Sequence, residues 1–431
     1  MSKGERILNT LKEKLVVLRR DFHKYAEAGW TEFRTSSKIA DRLETLGYDV
    51  LVGKEVINTE AVMGRMDEEK IQRHIERALC QGADQKWIDR MEGYTGVVGI
   101  VDTKIPGPTT ALRFDIDSND AIEMEEDHHR PYREGFSSVN KGAMHACGHD
   151  GHAAIGLGVA EALMEIKDQL KGKIKLIFQP AEEGVRGAKA MVEKGIVDDV
   201  DNFLAAHIGF GYPIGTVVAK PSGFLCTTKA NVFYKGKGSH AGGAPNEGKN
   251  ALLAASSAVM NLYAIPRHND GATRINVGRL QAGVGRNVIA PNAFMEIETR
   301  GSSDEINQYM YNQAHRILEH SAKMYDVDYK IEKVGEAVAC PSDDELVEEI
   351  IKESQKLKSV LNVEKEVYFG GSEDATWLMK RVQEKGGKSA YMLLGTTIAA
   401  PHHNECFDFD EDILETGVFL FGNLIKKLNG I

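Results

Sequence analysis

The chain has 431 residues, 42% of them hydrophobic and 27% charged, and a formal net charge of -11 at pH 7. This length exceeds the roughly 250 to 300 residues at which a single hydrophobic core stops growing, so two domains are expected. The composition is that of a soluble globular protein. No stretch reaches the roughly 18 uninterrupted apolar residues of a membrane span, and net acidity without a basic, aromatic-laced stripe excludes nucleic acid as a partner.

Residues 1–25 intersperse charged and apolar residues at helical spacing and lack an apolar block with a cleavage site, so they predict a helix and no export signal. Five cysteines (Cys80, Cys147, Cys226, Cys340, Cys406) are scattered and odd in number, which argues against a disulfide framework and for a reducing cytoplasm. Residues 54–94 are charged and mostly helical. The apolar runs at 95–102, 109–116, 173–180 and 203–209 predict strands, and 151–170 predicts a helix packed on their sheet. The segment 211–223, dense in Gly and Pro, marks a domain boundary. After it come a strand-like run, a helix over 249–262, strands near 273–281 and 292–300, a long helix over 303–325 and a short final strand. From Pro341 onward the first texture resumes.

The expected fold is therefore α/β: a catalytic domain over 1–223 and 335–431, with a central mixed sheet flanked by helices. It is interrupted at 224–334 by a smaller α+β (β-α-β-β-α-β) domain acting as lid and dimerisation unit. Two bodies joined by two linkers leave a cleft of the kind in which ligands bind.

Four segments concentrate metal-binding residue types, each at a predicted strand end or loop. MHACGHDGHA (144–153) holds His145, Cys147, His149, Asp150 and His152; a Cys and a His two apart in a Gly-containing loop can turn toward one ion. Singly, Cys147 reads as a small buried hydrophobe and His152 as a helix-start residue or a support for a ligand. FQPAEEG (178–184) places Glu182 and Glu183 directly after an apolar strand. Neighbouring carboxylates in a turn point apart, so one can bind metal while the other acts as a base; alone, such a pair is a solvated surface feature. LAAHIGF (204–210) brings His207, and PHHNECFDFD (401–410) brings His402 and His403. A lone strand-end His is more often structural. Thiolate, imidazole and carboxylate together suit zinc or another first-row ion.

Taken in order, RFDID, MHACGHDGH, QPAEEG, AHIG and HNECFD resemble the aminoacylase and carboxypeptidase family of dinuclear metallohydrolases. Within it they are most similar to the amidohydrolase branch that includes hippurate hydrolase and plant auxin-conjugate hydrolases. The resemblance covers nearly the whole chain. It implies two divalent ions, Mn²⁺ or Zn²⁺, ligated by Cys147, His149, Glu183, His207 and His403, with Glu182 as general base. The stretches TGVVGIVD, GRMDEEKIQRHIERALCQGAD and EEDHHRPYREGFSSVNK look closest to proteins acting on p-aminobenzoyl-glutamate, so that compound or a similar aroyl or acyl amino acid is the expected substrate. The sequence departs from the family pattern at Asp117, Ser118, Asn119 and Asp120, where Asp-Ala-Leu-Pro is usual. It departs again at Ala26, in place of Pro, and at Asn404 and Glu405, in place of Ser-Pro. No ligand and no base is lost.

Asp115 or Asp117 is placed to orient a metal-bound imidazole, or is a structural strand-end Asp. In the inserted domain the resemblance suggests that His240, in the loop 236–248, stabilises the oxyanion, within the chain or across a dimer interface. Asn287 and Arg300 suit capture of the substrate's α-carboxylate, although Arg300 alone reads as a rim salt bridge. A homodimer through the inserted domain, or a heteromer with a related subunit, is implied. The rival readings are a catalytically weak metal-binding partner subunit of a two-component hydrolase, and a dipeptidase or deacetylase of the same fold.

Overall fold

The computed structural model describes residues 3–431, with side chains from residue 11 onward in the first helix. Its strands are β1 Asp49–Val52, β2 Val97–Asp102, β3 Thr109–Asp115, β4 Lys173–Gln179, β5 Asn202–Ile208, β6 Thr216–Val218, β7 Pro221–Ser222, β8 Cys226–Lys235, β9 Thr273–Ala282, β10 Asn292–Gly301, β11 Asp328–Ala337, β12 Asn362–Glu364, β13 Val367–Tyr368 and β14 Lys388–Leu394. Its helices are α1 Lys3–Lys24, α2 Phe33–Leu46, α3 Glu68–Cys80, α4 Gln85–Met91, α5 Arg130–Arg133, α6 His149–Glu165, α7 Ala188–Glu193, α8 Ala251–Tyr263, α9 Asp304–Met324, α10 Asp344–Ser354, α11 Ala375–Glu384 and α12 Ile413–Asn429. No described helix is long and apolar enough to cross a membrane.

The chain divides into two compact units, one of residues 1–222, 340–369 and 374–431, the other of 223–339 and 370–373. The larger unit is built on an eight-stranded sheet in the order β1-β2-β4-β3-β5-β14-β6-β12. It is mixed, as expected: β4, β3, β5 and β14 run parallel, β1 and β2 pair antiparallel to their neighbours, and β6 runs antiparallel to β14 and parallel to β12. The central strands β3, β4 and β5 are almost wholly buried, which their continuous apolar runs require of strands covered on both faces. Helix α6 lies tight on this sheet because it carries glycine where bulk would collide: a side-chain carbon at Gly156 would come 2.6 Å from Phe178 and 2.8 Å from Phe114. That close seat fixes the start of α6, where His149 and His152 stand.

The Gly and Pro-dense stretch read as a boundary holds short strands as well. β6 pairs with β14 and β12, and β7 with β13, before the smaller unit begins. Turn residues at 211–215 and 223 disguise them in sequence. The smaller unit has the order β8-α8-β9-β10-α9-β11 and one antiparallel sheet, β11-β8-β10-β9. Its core packs Ala254, Ala258 and Leu262 of α8 and Met310, Ala314 and Leu318 of α9 with Val232, Met295 and Ile297 of the sheet. β9 and β11 are the edge strands, and one side of β9 is unpaired with any other strand among the described residues.

Candidate metal centre and active site

Four loops at strand and helix ends of the larger unit bring the candidate donors together. Cys147 and His149 flank Gly148, which takes φ 93° as the residue before α6. A left-handed conformation there favours glycine and turns both side chains the same way. His207 closes β5 and puts its Nε2 3.4 Å from Cys147 Sγ, while its Nδ1 lies 2.8 Å from the Ile208 carbonyl. Glu182 and Glu183 follow β4 in a turn in which Ala181 and Val185 take φ of 51° and 58°.

The last pair of histidines divides cleanly. The His402 ring stacks on Phe210 with centroids 4.3 Å apart and puts Nε2 3.1 Å from the Ile208 carbonyl. His403, at φ 66°, is held by its backbone N–H donating to Ala146 and places Nε2 3.4 Å from Glu183 Oε1. Single donor atoms of Cys147, His149 and His207 lie within 4.8 Å of one another, and so do those of Cys147, Glu183 and His403, and of His149, Glu182 and Glu183. The two cysteine-containing trios share the Cys147 sulfur.

These residues fit a cation. His149 Nε2 is buried with no hydrogen-bond partner among the described residues, and an orphaned imidazole nitrogen in such a place is costly without an ion or water. Burial and the neighbouring Glu183 charge push the Cys147 thiol well up, and a cation beside it would favour the thiolate.

Asp115 and Asp117 take different parts. Asp115 is fully buried between Arg113, whose Nη1 donates at 2.7 Å, and His152, and its Oδ2 is 3.6 Å from His149 Nε2. His152 is the fourth residue of α6, and its Nε2 accepts from the Ile208 N–H. With His149 they form a further trio of donors. Burial opposes ionisation of Asp115, but the Arg113 guanidinium holds its carboxyl well below the usual range. Asp117 lies behind the site. Its carbonyl faces His149 Nδ1 at 2.9 Å, and its carboxylate accepts from the backbone N–H groups of Glu182 and Glu183 at 3.0 and 2.9 Å.

Sequence reasoning missed the rest of this cradle. Glu32 accepts from Ala181 N at 2.8 Å, and Asp374 accepts from Gly187 and Ala188 at 3.1 and 2.9 Å. Three fully buried carboxylates therefore hold one turn by its amides. Arg113, buried with them, reaches both Asp115 and Asp374. No local pattern marks Glu32 or Asp374, since the turn amides they hold lie 149 to 187 residues away. The departure at Asn119 has a visible purpose: its side-chain oxygen accepts from Ala146 N at 3.1 Å and its backbone exchanges hydrogen bonds with Met144, tying down the Cys147 loop. His145 is buried with both ring nitrogens unpartnered among the described residues; burial lowers it to about 3, so it is neutral.

Three candidates belong to the smaller unit. His240 is exposed, its Nδ1 accepting from Gly242 and Gly243 within its own loop at 3.2 and 3.0 Å. Asn287 is exposed on the turn between β9 and β10. Arg300, near the end of β10, is engaged by Glu298 at two points of 3.1 Å each, the salt-bridge reading of that residue.

The sequence pattern of peptidase family M20/M25/M40 matches residues 111–427. The chain is 48% identical over 420 residues to a p-aminobenzoyl-glutamate hydrolase subunit of Escherichia coli (strain K12), covering 97% of this chain and 96% of that protein. It is 47% identical over 402 residues to indole-3-acetyl-aspartic acid hydrolase of Enterobacter agglomerans, covering 93% and 92%. The crystal structure of an aminobenzoyl-glutamate utilization protein from Klebsiella pneumoniae superposes with a TM-score of 0.86 at 43% identity, covering 97% of each chain. The family resemblance carried by the five motifs, and the narrower one carried by residues 64–84 and 125–141, are thus borne out. The chain belongs to peptidase family M20/M25/M40.

Proposed function

We propose that this chain hydrolyses the amide bond of an N-acyl amino acid, p-aminobenzoyl-glutamate or a similar aroyl amino acid, with Glu182 as general acid and base. Cys147, His149, Glu183, His207 and His403 would hold two divalent ions, manganese or zinc. The observation that carries this reading is the convergence of thiol, imidazole and carboxylate donors in two trios sharing Cys147, with a second carboxylate, Glu182, 4.0 Å from His149 Nε2. The relatives named for glutamate and aspartate conjugates support the substrate class. His403, and not His402, is taken as the fifth ligand because the His402 ring already faces a carbonyl and an aromatic plane.

When bound, the ions supply Lewis-acid polarisation of the scissile carbonyl and lower the pKa of water toward neutrality. Glu182 takes the proton of the attacking water and delivers it to the departing amine nitrogen. Asp117 fixes the backbone beneath Glu182 and Glu183, so that both carboxylates keep their separate directions. Asp115 holds its negative charge beside His149 with Arg113 and His152 behind it. From the smaller unit, His240 is assigned to the oxyanion, with Asn287 and Arg300 assigned to the α-carboxylate. Arg300 would exchange its Glu298 partner for the substrate's.

The smaller unit also serves as lid and pairs two copies of the chain. The unpaired edge of β9 and the exposed Leu252, Leu253, Met260 and Tyr263 of α8 support this. A heteromer with a related protein is the second reading, favoured because the Escherichia coli relative is named as one subunit of its hydrolase. Five free cysteines favour the cytoplasm.

The test is amide hydrolysis by the purified chain with added Mn²⁺ or Zn²⁺ against its Glu182→Gln variant. The variant is expected to lose about 10²- to 10⁴-fold in kcat while still binding metal. Equal rates in the two would leave the chain as a metal-binding partner without this catalysis.

A further inference from the structure

We propose that Arg186 receives the side-chain carboxylate of an acidic amino acid in the substrate, so that N-acyl glutamates and aspartates are taken in preference to their neutral counterparts. This inference rests on the reading that the chain cleaves N-acyl amino acids.

Arg186 ends the turn that carries Glu182 and Glu183. Its Nε donates to the Glu183 carbonyl at 2.9 Å and its Nη1 to the Gly64 carbonyl at 3.3 Å. Two carbonyls thus hold the guanidinium in place and occupy two of the roughly five N–H donors such a group has. No carboxylate pairs with it among the described residues. The other arginines near these loops are treated differently: Arg19 is locked by Asp150, Asp408 and Glu411, Arg113 by Asp115 and Asp374, and Arg130 by Asp408 and Glu411.

Space is also kept around Arg186. A side-chain carbon at Gly29 would come 2.7 Å from Nη2, and one at Gly184 would come 3.0 Å from Nε. Both neighbours are glycine, and Arg186 is only half-buried. Its fork is therefore positioned, partly desolvated and unspent, which suits two-point capture of a carboxylate.

Charge balance says which carboxylate. Two divalent ions on the adjacent ligands make an unpaired third cation on the same turn unfavourable unless an anion arrives with the substrate. The α-carboxylate has other donors assigned to it, so the anion left over is the one that distinguishes glutamate and aspartate from glutamine, asparagine and alanine.

The experiment compares wild type, Arg186→Gln and Arg186→Lys, as full-length metal-loaded protein, on N-acyl glutamate, N-acyl glutamine and N-acyl alanine sharing one acyl group. For Arg186→Gln, kcat/KM on the acyl-glutamate should fall about 10- to 100-fold, mainly through KM, and far less on the two neutral substrates. Arg186→Lys should recover part of the loss by keeping the charge without the fork. A fall of equal size on all three substrates, or no fall on the acyl-glutamate, overturns the proposal. Calorimetric binding of the acyl-glutamate to metal-loaded protein carrying Glu182→Gln supplies a readout independent of turnover, and equal affinity with and without Arg186→Gln also overturns it. Failure of the wild type to cleave any of the three substrates would instead remove the activity itself.

Discussion

In the larger unit Cys147, His149 and His207 are buried, and the turn under Glu182 and Glu183 hangs from Glu32, Asp117 and Asp374, whereas in the smaller unit His240 and Asn287 stand on exposed loops. The two sets of residues meet different demands. Ligands that share a small volume repel one another or lose hydration before a cation arrives, so the fold has to hold them by long-range buried contacts. Groups that meet a substrate need only a loop of the right length and access to solvent. The contrast makes the larger unit's charged framework the place where substitution should unfold the protein, and the smaller unit's loops the place where it should not.

The framework is densest around Arg19. Its guanidinium is fully buried and pairs with Asp150 at 2.8 Å, Asp408 at 2.9 Å and Glu411 at 3.3 Å, joining α1 to the start of α6 and to the loop after His403. Removing one partner of a buried cluster leaves the rest uncompensated, so Arg19→Ala should cost about 3 to 5 kcal/mol. All three tryptophans, Trp30, Trp87 and Trp377, belong to the larger unit, so their fluorescence in a guanidinium titration reports on that unit alone. A loss under roughly 1 kcal/mol would mean that the cluster is dispensable and would break the contrast.

The same cluster should give the larger unit a pH signature. His23 is fully buried; burial disfavours its cation, but hydrogen bonds to Asp150 at 2.8 Å and Glu123 at 2.9 Å prevail and raise it to about 9. Around it also stand Arg19 of its own helix, the neutral His145 and, through Glu123, His129. A folded-state value above the unfolded one of about 6.5 stabilises fully below pH 6.5, and the contribution is lost as pH rises through 9. Tryptophan-monitored unfolding in the presence of a chelator should therefore weaken by roughly 3 kcal/mol between these limits. His23→Gln should flatten that slope. An unchanged slope would show that His23 is not charged in the fold.

What could be read in the sequence follows the same division. The five proposed ligands and Glu182 sit in short motifs at strand ends, so residue type and spacing pointed to their four segments and the family resemblance to the residues within each, as the apolar runs pointed to β3, β4, β5 and α6. The supports were hidden because their chemistry is made only by folding. Asp374 is 187 residues from the amide of Gly187 that it holds, and Arg19 is 389 residues from Asp408. Neither has a local pattern, and a lone buried charge looks in sequence like any surface one. β6 and β7 were obscured for the opposite reason, because Gly and Pro on either side outweighed the short apolar run Thr216–Val218.

His240 tests the other half of the contrast with the smallest expected change in stability. Its side chain is exposed, and its contacts are two hydrogen bonds from Gly242 and Gly243 in its own loop. No burial is lost on truncation, so His240→Ala should change stability by about 0.5 kcal/mol or less, followed by circular dichroism because the smaller unit has no tryptophan. If the imidazole stabilises the developing oxyanion, kcat should nevertheless fall about 10²- to 10³-fold with little change in KM, since the contact strengthens only as charge develops. A variant that loses several kcal/mol while keeping its kcat would place His240 with Arg19 and Asp374 among the framework residues. Exposure would then be no guide to which histidines of this chain meet the substrate.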